Sequence, residues 1–132
     1  MATSYHQLGR LAQLRGDYEE AARQYQRSLD IEERLGNQAG MATSYSQLGF
    51  LEKERGGQIA AAIGWHVRAL AIRLALGVPQ AANNLRRLSE YRRELGTGQF
   101  TSLLNSTSGN PDLADTITTL IDQLDNNEGS VD

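Results

Sequence analysis

The chain has 132 residues, 39% of them hydrophobic, no cysteine and a formal net charge of −3. Its length fits one domain with a single core, and the lack of cysteine excludes a disulfide framework, a thiolate nucleophile and a sulfur-ligated metal. No unbroken apolar run reaches the roughly 18 residues that span a membrane, and the first residues lack the charged and apolar regions of a secretory leader, so a soluble cytoplasmic protein is expected.

Met1, Ala2, Thr3, Ser4, Tyr5, Gln7, Leu8 and Gly9 return as Met41, Ala42, Thr43, Ser44, Tyr45, Gln47, Leu48 and Gly49, forty positions later. A period of roughly 20 to 50 residues predicts an array of stacked supersecondary units, because one unit cannot bury its apolar face alone. In chain order, Tyr5, Leu8, Leu11, Ala12 and Leu14 predict a helix over residues 2–15, stopped by Gly16. Asp17, followed by Glu19 and Glu20, is the N-cap signal of a second helix reaching Leu35, which Gly36 and Asn37 end. The second copy predicts helices over 38–55 and 58–76; one residue inserted at its turn makes the offset 41 beyond Gly57. A third first-helix is expected from Pro79, with Ala82, Leu85, Leu88 and Tyr91 before Gly96, and no second helix pairs clearly with it. Residues 97–108 predict a brief helix around Phe100, Leu103 and Leu104. Asn110, Pro111 and Asp112 then open an amphipathic helix carrying Leu113, Ile117, Leu120, Ile121 and Leu124 on one stripe.

Tyr5, Leu8, Gly9, Ala12, Gly16, Asp17, Tyr18, Ala21, Tyr25 and Leu29 resemble the pattern of a tetratricopeptide repeat, and Tyr45, Leu48, Gly49, Gly56, Ala62, Ala69 and Leu70 repeat it. The second copy departs at His66, where that family prefers a large aromatic, and the usual proline at the unit boundary is absent. The longer period looks like the variant found in kinesin light chains, and the tail resembles the ends of helical-repeat regions in large bacterial regulators. The resemblance implies an all-α solenoid of helical hairpins: units 1–37 and 38–77, a third first-helix at 78–96, capping helices at 97–126 and a disordered tail at 127–132. It also implies a non-enzymatic scaffold that takes a protein or peptide in a concave groove lined by the first helix of each unit. Carried over residue by residue, that groove would contain His6, Gln7, Arg10, Gln47, Phe50, Lys53, Asn84 and Arg87. Gln7, Gln47 and Asn84 are expected at equivalent places, offering a donor and an acceptor to peptide amides, with Arg10 and Arg87 for a carboxylate and Phe50 for an apolar floor.

Comparing the two second helices, Ala22, Gln24, Gln26 and Glu33 become Ile63, Trp65, Val67 and Leu74. A helix apolar nearly all round must be covered on both sides. The stripe of Leu113, Ile117, Leu120, Ile121 and Leu124, with Phe100 and Leu103, is the expected cover, the rival being a second copy of the chain or a partner helix on the same face; self-association through an apolar end or convex face is therefore the alternative function. Residues 1–96 carry +3 and residues 97–132 carry −6, so the acidic tail is either a solvated end or a segment docked on the basic part. His6 and His66 have no companion at ligand spacing, no catalytic or phosphate-binding motif is present, and the arginine cluster at 86–93 is interrupted by acids. No metal, cofactor, catalysis, nucleic acid or membrane contact is expected.

Overall fold

The computed structural model of the chain describes residues 2–129, and these form seven helices: α1 (Ala2–Leu14), α2 (Tyr18–Leu35), α3 (Gln38–Glu54), α4 (Ile59–Leu76), α5 (Ala81–Leu95), α6 (Thr97–Ser108) and α7 (Pro111–Gly129). α1 pairs with α2 and α3 with α4, the two hairpins meet through α2 and α3, and α4 packs on α5. The solenoid is all-α.

Local chemistry explains the breaks. Asp17 accepts a hydrogen bond from the Glu20 amide at 3.3 Å, closing the start of α2. Gly36 adopts the left-handed conformation (φ 67°) that ends α2, where a side chain would be strained. Asn110 accepts from the amides of Asp112 (3.0 Å) and Leu113 (3.3 Å) at the head of α7. Pro79, expected as the first helical residue of α5, instead sits in a preceding turn, where its carbonyl and that of Val78 accept from the amides of Ala82 and Ala81; the helix proper begins at Ala81.

Helix pairs close over glycine. A Cβ on Gly9 would stand 2.6 Å from the Tyr25 ring, and one on Gly49 2.7 Å from the His66 ring. His66 thus takes the place that Tyr25 holds in the first unit, a ring laid on the backbone of the paired helix.

α6 packs against both α4 and α5, and α7 against both α5 and α6. α6 therefore stands as the second helix of a third hairpin, which the sequence did not announce because its only large apolar residues are Phe100, Leu103 and Leu104. Ile63 and Val67 are buried in one cluster with Leu70, Leu88, Phe100, Leu104, Ile117 and Ile121, with Leu74, Leu103 and Leu113 packed around it. Full burial of each such side chain contributes about 1.5–3 kcal/mol. Leu120 and Leu124 are only half-buried. Trp65 lies elsewhere: it packs against the first core cluster and stacks on Tyr45 at 5.8 Å, with the Arg68 guanidinium 5.0 Å above its ring. It faces back toward the first unit, beside Ala22, Gln26, Leu48 and Leu51, and only borders a hollow shared with Ser106 and Thr107 of α6. Nor does the helix end at Asn126, where a disordered tail was expected to follow; α7 continues to Gly129, and residues 130–132 lie outside the described residues. α4 is, by length and composition, apolar enough to cross a membrane, contrary to the expectation that no segment is. α3, α5 and α6 pack against it, burying a third of it, and it carries Arg68 and Arg73.

The first unit has an open side. Leu48 and Leu51 are buried (6% and 2% exposed) in the cluster with Ala21, Tyr25 and Leu29 of α2, while their counterparts one repeat earlier, Leu8 and Leu11, are each 48% exposed. Among the described residues no helix stands before α1 as α2 stands before α3.

Candidate functional site

Successive units are joined by polar triads at equivalent positions. In the first joint Ser44 of α3 donates to Glu32 of α2 (2.5 Å) and lies 2.9 Å from the His6 Nε2 of α1, with that nitrogen 3.6 Å from the Glu32 carboxylate. Ser28 adds a further hydroxyl to the same carboxylate at 3.3 Å. At offsets of 40 and 41 the second joint is Ser46, Arg73 and Asn84. Arg73 of α4 donates to Asn84 Oδ1 (2.7 Å), while the Asn84 Nδ2 group donates to Ser46 (3.0 Å) and to His66 Nδ1 (3.1 Å). A buried carboxylate in one joint is thus replaced by a guanidinium in the next.

The amide orientation that Arg73 imposes makes His66 Nδ1 an acceptor, so its Nε2 carries the proton. Burial, reinforced by the charges of Arg87 and Arg73, pushes the His66 pKa down to about 4. The imidazole is neutral and fully buried, its Nε2 directed at Gly49 without a protein partner.

Above the second joint the first helices enclose a groove. One cavity of about 540 Å³ is lined by Gln47 and Phe50 of α3, Arg73 of α4 and Asn83 and Arg87 of α5, among others. A second, of about 490 Å³, is lined by Arg10 and Gln13 of α1 with Glu54 and the same Gln47, Phe50 and Arg87, so the two adjoin at a shared wall. Arg87 is held over the Phe50 ring at 4.9 Å and pairs with Glu90 at 3.1 Å. Gln13 accepts from the Tyr25 hydroxyl (2.7 Å) and donates to Glu54, tying α1, α2 and α3 together at the groove's edge. Four arginines, Arg10, Arg73, Arg86 and Arg87, face two glutamates, Glu54 and Glu90, along the two cavities.

Of the residues expected in the groove, Arg10, Gln47, Phe50 and Arg87 come together there. Asn84 touches the cavity but is 1% exposed, and its amide group is committed to the joint; it is equivalent to Ser44, and Arg87 is the residue equivalent to Gln47. His6 is half-buried and engaged with Ser44. Lys53 points to the other side, 5.3 Å above the Tyr91 ring, beside a separate hollow lined by Gly56, Gly57 and Glu94. Gln7 is exposed on α1 and lines neither cavity. Arg73, the cation on the floor, was not foreseen; its only sequence signal is the charge change from Glu32 at offset 41.

The acidic tail docks. Arg92 of α5 meets Asp122 (2.6 Å) and Asp125 (2.8 Å) of α7, and Ser89 donates to Asp125 at 2.6 Å. Burial alone would raise the Asp125 carboxyl, but the Ser89 and Arg92 hydrogen bonds outweigh it and hold it below the ordinary range.

Stacked helical hairpins joined at equivalent positions and opening on two adjoining concave cavities define a repeat solenoid, a class whose extended surface suits contact with other chains. A tetratricopeptide repeat family model matches residues 1–75, more than half of the chain, and the protein belongs to the tetratricopeptide repeat family. Members of that family generally mediate protein–protein interactions and are typically non-enzymatic scaffolds. No curated protein and no solved structure matches the chain.

Proposed function

We propose that this protein is an interaction scaffold that holds an extended peptide or partner segment along α1, α3 and α5. The observation that carries the reading is the shared wall of the two cavities, where Gln47, Phe50 and Arg87 belong to both. An extended strand laid there would place one face on the Phe50 ring and its amides beside the Gln47 carboxamide, which can donate and accept. Selection of a random-peptide phage library on the protein should yield clones that lose binding to a Phe50→Ala, Gln47→Ala variant of unchanged melting temperature. Enriched clones that bind both forms equally, or no enrichment at all, would refute it.

A second reading is self-association, favoured by Leu8 and Leu11, which are exposed where Leu48 and Leu51 are covered. Two copies meeting through α1 would bury those leucines. Light scattering across a wide concentration range should then show a dimer that Leu8→Gln with Leu11→Gln abolishes; a monomer at every concentration would sink this reading and leave the groove.

A further inference from the structure

Arg73 is a cation without a counter-charge. Its side chain is half-buried in the last turn of α4, it donates a hydrogen bond to Asn84, and among the described residues it forms no ion pair. Burial lowers its guanidinium pKa, with no acid to raise it. The equivalent position in the first joint is better supplied with partners: Glu32 has two serine hydroxyls and the His6 ring around it. Arg87, the neighbouring cation, is already committed to Glu90 and Phe50. A cation taken partly out of water with only an amide oxygen as partner is a standing cost to the fold. Its guanidinium has five N–H donors in a planar fork, of which Asn84 uses one. Arg73 lines the wall of the open 540 Å³ cavity.

We propose that Arg73 is an anion-binding residue on the groove floor and that it seats the side-chain carboxylate of an aspartate or glutamate in the bound peptide. The carboxylate would complete the second joint as Glu32 completes the first, with a two-pronged Arg–carboxylate contact. A side chain rather than a chain terminus is the source proposed, because the cavity over Arg73 adjoins the one over Arg10 at a wall shared by Gln47, Phe50 and Arg87, and a ligand lying along both is an extended chain that meets Arg73 with a side chain. This rests on the groove reading above, and makes the peptide acidic at one defined position.

The test uses clones from the random-peptide library, synthesised with amidated C-termini and titrated by fluorescence anisotropy. Enriched sequences should share an acidic residue whose change to Asn or Gln weakens binding about tenfold. Arg73→Met should weaken the acidic peptide to the same degree and leave the Asn or Gln peptide unaffected, so that the two changes do not add. Arg73→Met removes a half-buried charge but also the donor to the buried Asn84 Oδ1, so its melting temperature serves to establish folding, and the non-additive loss of affinity is the readout that a merely structural arginine would not give. Should Arg73→Met fail to fold, Arg73→Lys keeps the charge and loses the fork, and an intermediate affinity is expected. The inference is overturned if the clones share no acidic residue, if binding needs a free C-terminal carboxylate, or if Arg73→Met or Arg73→Lys binds within about twofold of wild type. In each of those cases clones that still depend on Phe50 keep the groove reading standing, whereas clones indifferent to Phe50 and Gln47 bring down both.

Discussion

Lowering the pH from 6.5 toward 4 should destabilise this protein through one buried imidazole. His66 is fully buried, its pKa is held at about 4 against an ordinary 6.5, and the causes are burial first and the charges of Arg87 and Arg73 second. In the unfolded chain the ring takes a proton near its ordinary value, whereas in the folded chain it resists down to about 4. Between these pH values the unfolded state binds more protons, so stability is complete above 6.5 and is lost progressively as the pH falls toward 4. A shift of this size corresponds to about 3 kcal/mol, a large share of the stability of a small domain. Urea unfolding followed by far-UV circular dichroism at a series of pH values should show that loss, and His66→Phe should remove it. Phenylalanine is the right control because Tyr25 shows that a six-membered ring fits over the paired glycine. The variant loses the Asn84 contact at every pH, so the difference in slope is what counts. If wild type and variant lose stability in parallel, or if imidazole carbon shifts show His66 protonating near 6.5 in the folded state, the assignment of a neutral, sealed imidazole is wrong.

Three further outcomes follow from the packing. Gly49→Ala places a methyl 2.7 Å from the His66 ring and should cost about 1–3 kcal/mol by overpacking, read as a lowered melting temperature. Ile117→Ala, at a fully buried position of α7, should cost about 2–5 kcal/mol, while Thr119→Ala on the exposed side of the same helix stays within about 0.5 kcal/mol of wild type; equal melts would show that α7 does not bury its stripe. Asp125, whose carboxyl is held below the ordinary value, stabilises the α5–α7 contact above the unfolded pKa of about 3.8 and loses that effect as the pH falls through its lower folded value; Asp125→Asn should flatten that acid limb in denaturant titrations.

The helices and their order were legible because apolar spacing and glycine stops recur with the period, and the caps at Asp17 and Asn110 function as their residue types suggest. α6 as a hairpin partner was not legible, since three apolar side chains in a Ser- and Gly-rich stretch carry little periodic signal. The groove was half legible for a geometric reason. Matching Asn84 to Gln47, polar to polar, slips the third unit by three residues, nearly one helical turn, and such a slip leaves a residue close to the same face. Periodicity therefore cannot detect the error; the hydrogen bonds can. Asn84 bonds to Arg73 as Ser44 bonds to Glu32, which fixes Arg87 as the counterpart of Gln47.

That register carries a consequence for how such arrays diversify. The apolar positions of a joint must stay alike for the helices to stack, as Leu48 with Leu88 and Leu51 with Tyr91 do here. The polar triad between them is free to change sign, because each set makes its hydrogen bonds within its own joint: Glu32 accepts from serine hydroxyls, while Arg73 donates to Asn84 and keeps donors left over for a ligand. A charge that changes sign while the backbone does not is the cheapest way to give one groove a different floor under each unit. The specificity of this protein is then to be sought in the joints beneath the groove as much as in the residues that line its rim.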